Sequence, residues 1–279
     1  MTEADTVIDE SQALPLRKSR PVNSRVRHML KVGAIALGWL MLWWAAVVVF
    51  QVSKDFLPTP YEVGKRIAIL AYEPLGAGTI WIHSKASIVR LLSGFGAAIV
   101  IGIPLGLIMA SVRPVNYFVR PLFELFRYVP PIAWAPFAIF WFGAGNNSQA
   151  YVIFTAAFPP ILINTFRGVE LVDPRLIDAA RMLGAKAHTL LVEVALPGSV
   201  PFVMAGLRIG LAGGWMALIA AEIVAGTGSR DGLGYLVLQG QQSLAADLTI
   251  GAMVLIGIIG TLIDLVLQKL ESRLQAWHH

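Results

Sequence analysis

The sequence predicts an all-α membrane protein built as a bundle of six transmembrane helices. Apolar residues make up 56% of its 279 residues and charged residues only 14%, with a mean hydropathy of +0.68. A soluble domain carries roughly a quarter charged residues, so this chain has too few to cover a water-facing surface. In addition, the sequence contains six mostly apolar stretches, each close in length to the about 20 residues that a helix needs to cross a bilayer.

The six predicted spans occupy most of the chain. They are Val32 to Val52, Ile88 to Val112, Phe118 to Phe142, Ala150 to Phe166, Val200 to Ala225 and Leu248 to Leu267. Residues 1–31 are predicted as a cytoplasmic tail and residues 32–279 as one transmembrane domain. The glycine- and asparagine-rich segment 143–147 predicts a turn between the third and fourth spans. Kinks or broken helix are predicted at Pro104, Pro130, Pro131 and Pro136.

Lysine and arginine residues are distributed unequally between the two sides of the predicted bundle. With the N-terminus inside, the inner segments carry the basic tail and Arg113, Arg120, Arg127, Arg167, Arg175, Arg181, Lys186, Lys269 and Arg273. The outer loops carry Lys54, Lys65, Arg66, Lys85 and Arg230. The positive-inside rule therefore predicts that both termini are cytoplasmic. This topology, rather than nucleic-acid binding, accounts for the net charge of +5.

Further predictions concern the outer loops and the histidines. Tyr61 to Ala71 is predicted as one amphipathic helix on the outer surface, and the glycine-rich loop Gly226 to Gly232 is predicted to be mobile. His83 and His188 are expected to be plain surface residues, because no two histidines stand at metal-ligand spacing. The chain contains no cysteine, which excludes disulfides, thiolate catalysis and cysteine-bound metals.

The inner loop from Gly168 to Gly198 contains a locally specified short helix. Asp173 is a good N-cap, Pro174 suits the first helical position, and Gly184 fits as the residue that ends the helix. A second short helix is predicted from Ala187 to Ala195, ending before the proline at position 197.

An apolar stripe on the first of these helices needs a covering surface. Leu176, Ala180 and Leu183 fall at i, i+4 and i+7 on one face. Two interpretations follow from the pattern alone. The stripe docks into a groove of a partner protein, or the helix lies on the lipid headgroups.

The same loop resembles the EAA motif of the permeases of ABC importers. That motif reads Glu-Ala-Ala, three residues, Gly, nine residues, then Ile-x-Leu-Pro. Here Asp178-Ala179-Ala180, Gly184 and Val194-Ala195-Leu196-Pro197 match it at the same spacing, with Asp in place of Glu and Val in place of Ile. The resemblance implies that this loop is a coupling helix seated in a groove of an ATP-binding subunit. The coupling residues that it implies are Asp178, Ala179, Ala180, Arg181, Leu183, Gly184, Leu196 and Pro197.

From Phe56 onward the chain resembles the nitrate, sulfonate, taurine and bicarbonate group of these permeases. The similar segments are Phe56 to Pro60, Val129 to Trp134, Ile139 to Gly143 and Gly206 to Gly210. Gly213-Gly214-Trp215, Ala220-Ala221-Glu222 and the terminal Trp277-His278 look most like the taurine permeases. The resemblance implies a type I ABC importer fold of six transmembrane helices. It also implies import of taurine or another sulfonate by alternating access, with nitrate, bicarbonate or an aromatic acid as alternative substrates.

The resemblance also implies partners for a chain that has no catalytic residues or cofactor of its own. Gly184-Ala185-Lys186 lacks the glycine spacing and the following Ser or Thr of a nucleotide-binding P-loop. ATP and Mg²⁺ are therefore expected on separate ATP-binding-cassette ATPase subunits. The other expected partners are a periplasmic or lipid-anchored substrate-binding protein, a second copy of this chain in a homodimer, and the lipid of the inner membrane.

Ionisable and aromatic residues within the spans are candidates for the transport pathway. Arg90 and Glu222 are predicted to pair with each other or to line an outer vestibule, the alternative being that each snorkels to the headgroups. Arg208 and Asp264 are nearer the inner ends, where snorkelling is expected. The other candidates, which are alternatively core or lipid-facing residues, are Trp134, Trp141, Trp215 and Met216.

Small residues predict where helices approach closely. They are Gly94, Gly96, Gly102, Gly106, Gly206, Gly210, Gly213 and Gly214. A secondary transporter would need paired inverted repeats and buried coupling residues, and a membrane enzyme would need clustered His, Glu or Asp. The sequence shows neither pattern, so both classes are disfavoured.

Overall fold

A computed structural model describes residues 22–225 and 230–275, most of which lie in helices. The helices are α1 (Val22–Val49), α2 (Pro60–Tyr72), α3 (Ile80–Ser111), α4 (Arg113–Phe126), α5 (Ala135–Phe142), α6 (Asn146–Glu170), α7 (Pro174–Met182), α8 (Ala187–Thr189), α9 (Leu196–Ala225), α10 (Leu233–Gln242) and α11 (Ala246–Gln275). Within the described ranges, the β-type pairing is one isolated bridge between Leu75 and Gly78. The predicted all-α class is therefore confirmed. The predicted mobile loop Gly226 to Gly232 lies partly outside the described residues.

Four of the six predicted spans coincide with helices that are long and apolar enough to cross a membrane. These are α3, α6, the continuous helical run 187–224 and α11, counted over the part of the chain that the structure describes. The predicted first span lies in α1, whose apolar part, Gly33–Val49, is shorter than a full span. This helix belongs to a separate compact unit that ends at Val52. The predicted count of six spans is thus not confirmed.

The predicted third span is not one helix. α4 ends at Phe126, a single 3₁₀ turn occupies Pro131–Trp134, and α5 follows it. The adjacent prolines at positions 130 and 131 cause the break, because each lacks a backbone N–H and each disfavours helical geometry in the residue before it. The predicted broken helix at these prolines is confirmed, and the predicted third span from Phe118 to Phe142 is therefore made of separate helical pieces.

The core of the second unit, which begins at Ser53, is formed where α6 packs between α3 and α9. Its buried cluster draws on all three helices and consists of Leu91, Phe95, Ala98, Ile153, Ala157, Ile161, Leu211 and Leu218. Lipid tails are as apolar as these side chains, so in a membrane such helices associate through close packing rather than through the hydrophobic effect.

Glycines let the backbones of α3 and α9 approach the carbonyl oxygens of α6. A β-carbon added at Gly94 would lie 2.4 Å from the carbonyl oxygen of Ala150. At Gly106, Gly206 and Gly210 the corresponding distance to an α6 carbonyl oxygen is 2.9 Å. Close packing at these four positions is confirmed. At Gly96 the prediction was wrong, because nothing lies within 4 Å of an added β-carbon.

The remaining helices pack around this core. α4 contributes Phe123 to a cluster with Leu162 and Phe166 of α6. α10 packs Leu233 and Leu236 against α11. Outward-facing surfaces remain exposed on α9 and α11, for example at Ile209 and Ile258.

The amphipathic helix predicted at Tyr61 to Ala71 is confirmed as α2. Thr59 and Glu62 form a capping box, in which the carboxylate of Glu62 accepts the backbone N–H of Thr59 at 2.9 Å. The ammonium group of Lys54 and this backbone N–H lower the pKa of Glu62 to about 2, so the capping carboxylate is charged at neutral pH. An ion pair of 2.7 Å between Arg66 and Asp247 ties α2 to the start of α11.

Adding one methyl group at Gly94 should destabilise the bundle, whereas the same change at Gly96 should not. Gly94→Ala forces a β-carbon against a carbonyl of α6, and overpacking of this kind costs about 1–3 kcal/mol. Gly96→Ala meets open space and should be neutral or stabilising by up to about 1 kcal/mol, because alanine favours helix. Thermal unfolding of both variants in detergent, followed by tryptophan fluorescence, measures the difference. Equal melting temperatures would contradict the proposed packing.

Candidate functional site

The helix α7 between α6 and α9 is delimited as the sequence predicts. The carboxylate of Asp173 accepts the backbone N–H of Arg175 at 2.9 Å, and Pro174 is the first helical residue. Gly184 has φ +83°, a left-handed conformation that a residue with a β-carbon adopts only at a cost. Its N–H donates to the carbonyl of Arg181 at 2.9 Å, which closes the helix.

We refer to residues 173–184 as the α7 knob, because none of the residues of α7 is buried. Leu183 is 89% exposed, and Leu176 and Met182 are also exposed. Arg181 pairs with Asp178 at 3.3 Å on the outer face of the helix. Exposed apolar side chains flanked by charges are typical of a protein-docking surface. The matched EAA residues 178–184 thus lie together on one open surface.

The expected end of the second short helix before Pro197 was wrong. α8 continues through a π-helical turn, Leu190–Ala195, directly into α9. The N–H of Leu196 donates to the carbonyl of Leu191, five residues earlier. A proline ring normally clashes with the carbonyl four residues before it, and the wider π turn accommodates Pro197 without ending the helix. Residues 187–224 therefore form one continuous helical rod.

The base of the α7 knob joins the ends of two long helices. Val172, just after α6, is buried and lies against the start of α9: a β-carbon at Gly198 would be 3.1 Å from its side chain. Ser199 is also buried and donates to the carbonyl of Leu196 at 2.9 Å. The base of the knob is therefore packed against both α6 and α9.

At the opposite end of α9, Arg90 and Glu222 form the predicted ion pair. The distance from Arg90 Nη1 to Glu222 Oε1 is 2.9 Å, and the two side chains are 1% and 0% exposed. The same carboxylate accepts the hydroxyl of Ser87 at 2.7 Å and the backbone N–H of Gly234 at 2.8 Å. Such burial excludes snorkelling for either residue, and it excludes the alternative that they line an open vestibule in this structure.

Arg90 extends the network to two further parts of the chain. Its Nε donates to the side-chain carbonyl of Asn146, the first residue of α6, at 2.7 Å. Its Nη2 forms an ion pair with Asp231, and its Nη1 donates to the Asp231 carbonyl at 3.2 Å. We refer to Arg90, Glu222 and these partners as the outer network. It joins α3, α6, α9 and the segment that precedes α10.

His83 is buried beside the outer network, so its expected surface position was wrong. It is fully buried. Its Nδ1 accepts the backbone N–H of Gly232 at 3.1 Å, and its Nε2 lies 2.8 Å from the carbonyl oxygen of Leu75. Because a carbonyl can only accept, the proton is on Nε2. The missed signal was periodic: His83, Ser87 and Arg90 stand at i, i+4 and i+7 and form a polar stripe along one face of α3.

The four predicted pathway residues fall into two groups. Trp134 and Trp141 both contact the ring of Tyr151, with centroid distances of 6.3 Å and 5.9 Å. Trp215 and Met216 instead line a groove between α9 and α11. At the same groove, Arg208 pairs with Asp264 at 3.1 Å. Their pairing with each other was not predicted, and the expected snorkelling stays a prediction. Tyr151 was not identified from the sequence as a partner of the two tryptophans.

The described residues contain no group of three or more His, Cys, Asp or Glu that could hold a metal ion.

Neutralising Glu222 should destabilise the protein far more than neutralising an exposed pair. In Glu222→Gln the buried guanidinium of Arg90 keeps only Asp231 as a counter-charge, and a broken buried pair costs about 3–5 kcal/mol. The matched control is Asp247→Asn, which removes the partly exposed pair with Arg66 and should cost less than about 1 kcal/mol. Thermal unfolding of the purified variants tests this ranking, and equal losses would refute it.

Comparison with known proteins assigns the chain to one family. A family profile described as the binding-protein-dependent transport system inner membrane component matches residues 102–276. The taurine transport system permease protein TauC of Escherichia coli K12 is 38% identical over 251 residues, which cover 89% of this chain and 90% of that protein. The nitrate import permease protein NrtB of Synechocystis is 31% identical over 263 residues, covering 92% and 94%.

A solved structure supports the fold. The inward-facing MetNI methionine ABC transporter superposes with a TM-score of 0.60 at 21% identity, over 70% of this chain and 97% of that chain. The relatives are permease subunits and not enzymes, and ATP hydrolysis belongs to a separate subunit. The chain therefore belongs to the binding-protein-dependent inner-membrane components and is the permease subunit of an ABC importer.

Proposed function

We propose that this permease imports taurine or another small sulfonate across the inner membrane as a homodimer. Its partners are ATP-binding-cassette subunits, which bind ATP and Mg²⁺, and a separate substrate-binding protein. The substrate assignment is supported by the 38% identity to a taurine permease. Nitrate is the second candidate, supported by the 31% identity to a nitrate permease.

The observation that carries the coupling mechanism is the exposed α7 knob at the end of a continuous rod. The knob offers an apolar side chain, Leu183, that is almost fully exposed. The helical rod 187–224 runs from its base to the outer network. At 1.5 Å per residue, the distance from Ala187 to Glu222 along this rod is roughly 50 Å, enough to cross the membrane.

Transport follows from movement of this rod. ATP binding closes the two ATPase subunits, whose grooves grip the α7 knobs. The knob then displaces the ends of α6 and α9 together, because Val172 packs against the start of α9. The outer side of the pathway opens beneath a docked binding protein, and ATP hydrolysis restores the inward-facing state.

The homodimer and the topology are part of this proposal. Trp141 and Met216, two candidate pathway residues, are exposed in the single chain, so a second copy is needed to enclose them. The lysine and arginine bias supports a topology with the α7 knob and both chain termini in the cytoplasm. The outer network then lies at the periplasmic side, near the binding protein.

The substrate assignment predicts a specific response of the reconstituted transporter. In proteoliposomes that contain the permease, its ATPase and its binding protein, taurine should stimulate ATP hydrolysis and be imported. Nitrate, bicarbonate and aromatic acids should produce weaker responses at the same concentration. Stimulation by nitrate but not by taurine or any alkanesulfonate would contradict the proposal.

Substitutions at Gly184 should separate ATP hydrolysis from import according to the backbone conformation that each residue tolerates. Asn adopts the left-handed conformation readily, so Gly184→Asn should retain most of the import activity. Val does not, and Gly184→Val should strain the turn by about 1–3 kcal/mol and displace the knob. Within the permease itself open space surrounds this position, so crowding inside the chain does not explain a difference. The measurement is taurine imported per ATP hydrolysed, and equal ratios in the two variants would argue against a coupling role.

A further inference from the structure

The groove between α9 and α11 combines an apolar floor with a pair of opposite charges. Its volume is about 430 Å³. α9 and α11 contribute its lining, which includes Leu211, Trp215, Met216, Ile256, Gly260 and Asp264. Trp215 lies directly across Gly260, where an added β-carbon would be 2.7 Å from the indole nitrogen. Arg208, paired with Asp264, stands at one end of this groove.

The pair of Arg208 and Asp264 is bidentate and remains open on one side. Nε and Nη2 of the guanidinium donate to the two carboxylate oxygens at 3.1 Å and 3.3 Å. The side chains are 45% and 40% exposed, in contrast to the closed pair in the outer network. Gln268 also donates to the carboxylate of Asp264, at 2.7 Å.

The position of Arg208 along the bundle places the pair within the apolar span. Gly206 and Gly210, two residues on either side, pack against the carbonyls of Pro160 and Ala157. Arg208 is therefore level with about residue 159 of α6. At 1.5 Å per residue, that level is roughly 12 Å from Arg167 toward one end of α6 and roughly 20 Å from Asn146 toward the other.

An open pair of charges at this depth cannot face hydrocarbon at low cost. Ionisable groups within a membrane normally face a water-filled cavity or another protein surface. We propose that the pair is a transient binding site in the pathway for a zwitterionic sulfonate, an inference that rests on the proposed import function. The sulfonate binds the fork of the Arg208 guanidinium, and the ammonium binds the carboxylate of Asp264. The short carbon chain then lies over Trp215 and Gly260.

Charge balance gives this site its selectivity. A zwitterion that opens the pair supplies one counter-charge to each residue, so neither charge is left unpaired. A simple anion such as nitrate binds Arg208 and leaves Asp264 with only the amide of Gln268. An unpaired charge on a half-exposed side chain is costly to the extent that the surrounding helices keep water from it, and this cost acts against the competing anion. The groove therefore favours taurine over anions that lack an ammonium group.

The test measures equilibrium binding of radiolabelled taurine to the permease–ATPase complex in detergent, without the binding protein. The competitors are unlabelled taurine and 2-hydroxyethanesulfonate, in which a hydroxyl replaces the ammonium. In the wild-type complex, taurine should compete at least about tenfold better, a preference of about 1.4 kcal/mol. Asp264→Asn should abolish that preference, whereas Asp264→Glu, which keeps the carboxylate, should retain most of it. Asp247→Asn, outside the groove, should change nothing.

Two results would overturn the inference. One is equal competition by the two sulfonates in the wild-type complex, which needs no variant. The other is an Asp264→Asn complex that elutes as an intact assembly in size-exclusion chromatography and still prefers taurine. Import by the complete wild-type system separates this failure from failure of the proposed function. If taurine is imported but the preference is absent, only the site is refuted; if taurine is not imported, the proposed function and the site fail together.

Discussion

The close approach of α6 to α3 and α9 is the contact on which the remaining structure depends. In lipid there is no hydrophobic driving force for helices to associate. The bundle is therefore stabilised by close packing of the helix backbones against each other. Glycines on α3 and α9 face carbonyls of α6 and make this approach possible. The outer network attaches to all three helices and the base of the α7 knob attaches to α6 and α9, so their geometry follows from that packing.

The two ends of the rod that includes α9 are built for different tasks. One end carries an exposed knob with a short, sharply delimited helix, and the other carries Glu222 in a fully buried polar network. Packing at the knob end leaves a surface free for a partner, while the buried end fixes the helix to α3, α6 and the segment before α10. Between these two ends, the ion pair of Arg208 and Asp264 is partly exposed.

The sequence predicted features whose physical cause is local and missed those whose cause is tertiary. The limits of α7 followed from Asp173, Pro174 and Gly184, since capping and left-handed turns depend on neighbouring residues. The partnership of Arg90 with Glu222 could be anticipated because both lie near the same end of apolar helices. His83 could not be placed from local context, because its partners, Gly232 and Leu75, come from distant or irregular segments. Pro197 suggested a helix end, and only the preceding π turn explains why none occurs.

That π turn determines how the α7 knob is rotated about the helix axis relative to the side chains of α9. Successive residues of an α-helix are rotated by about 100° about its axis, and a π turn contains one residue more than the α-helical turn that it replaces. Losing one residue between Leu190 and Ala195 would restore ordinary winding. It would also rotate the knob by about a quarter of a revolution relative to Arg208 and Glu222. The turn thus sets the angular register between the exposed surface of the α7 knob and the side chains of α9 that face the rest of the bundle.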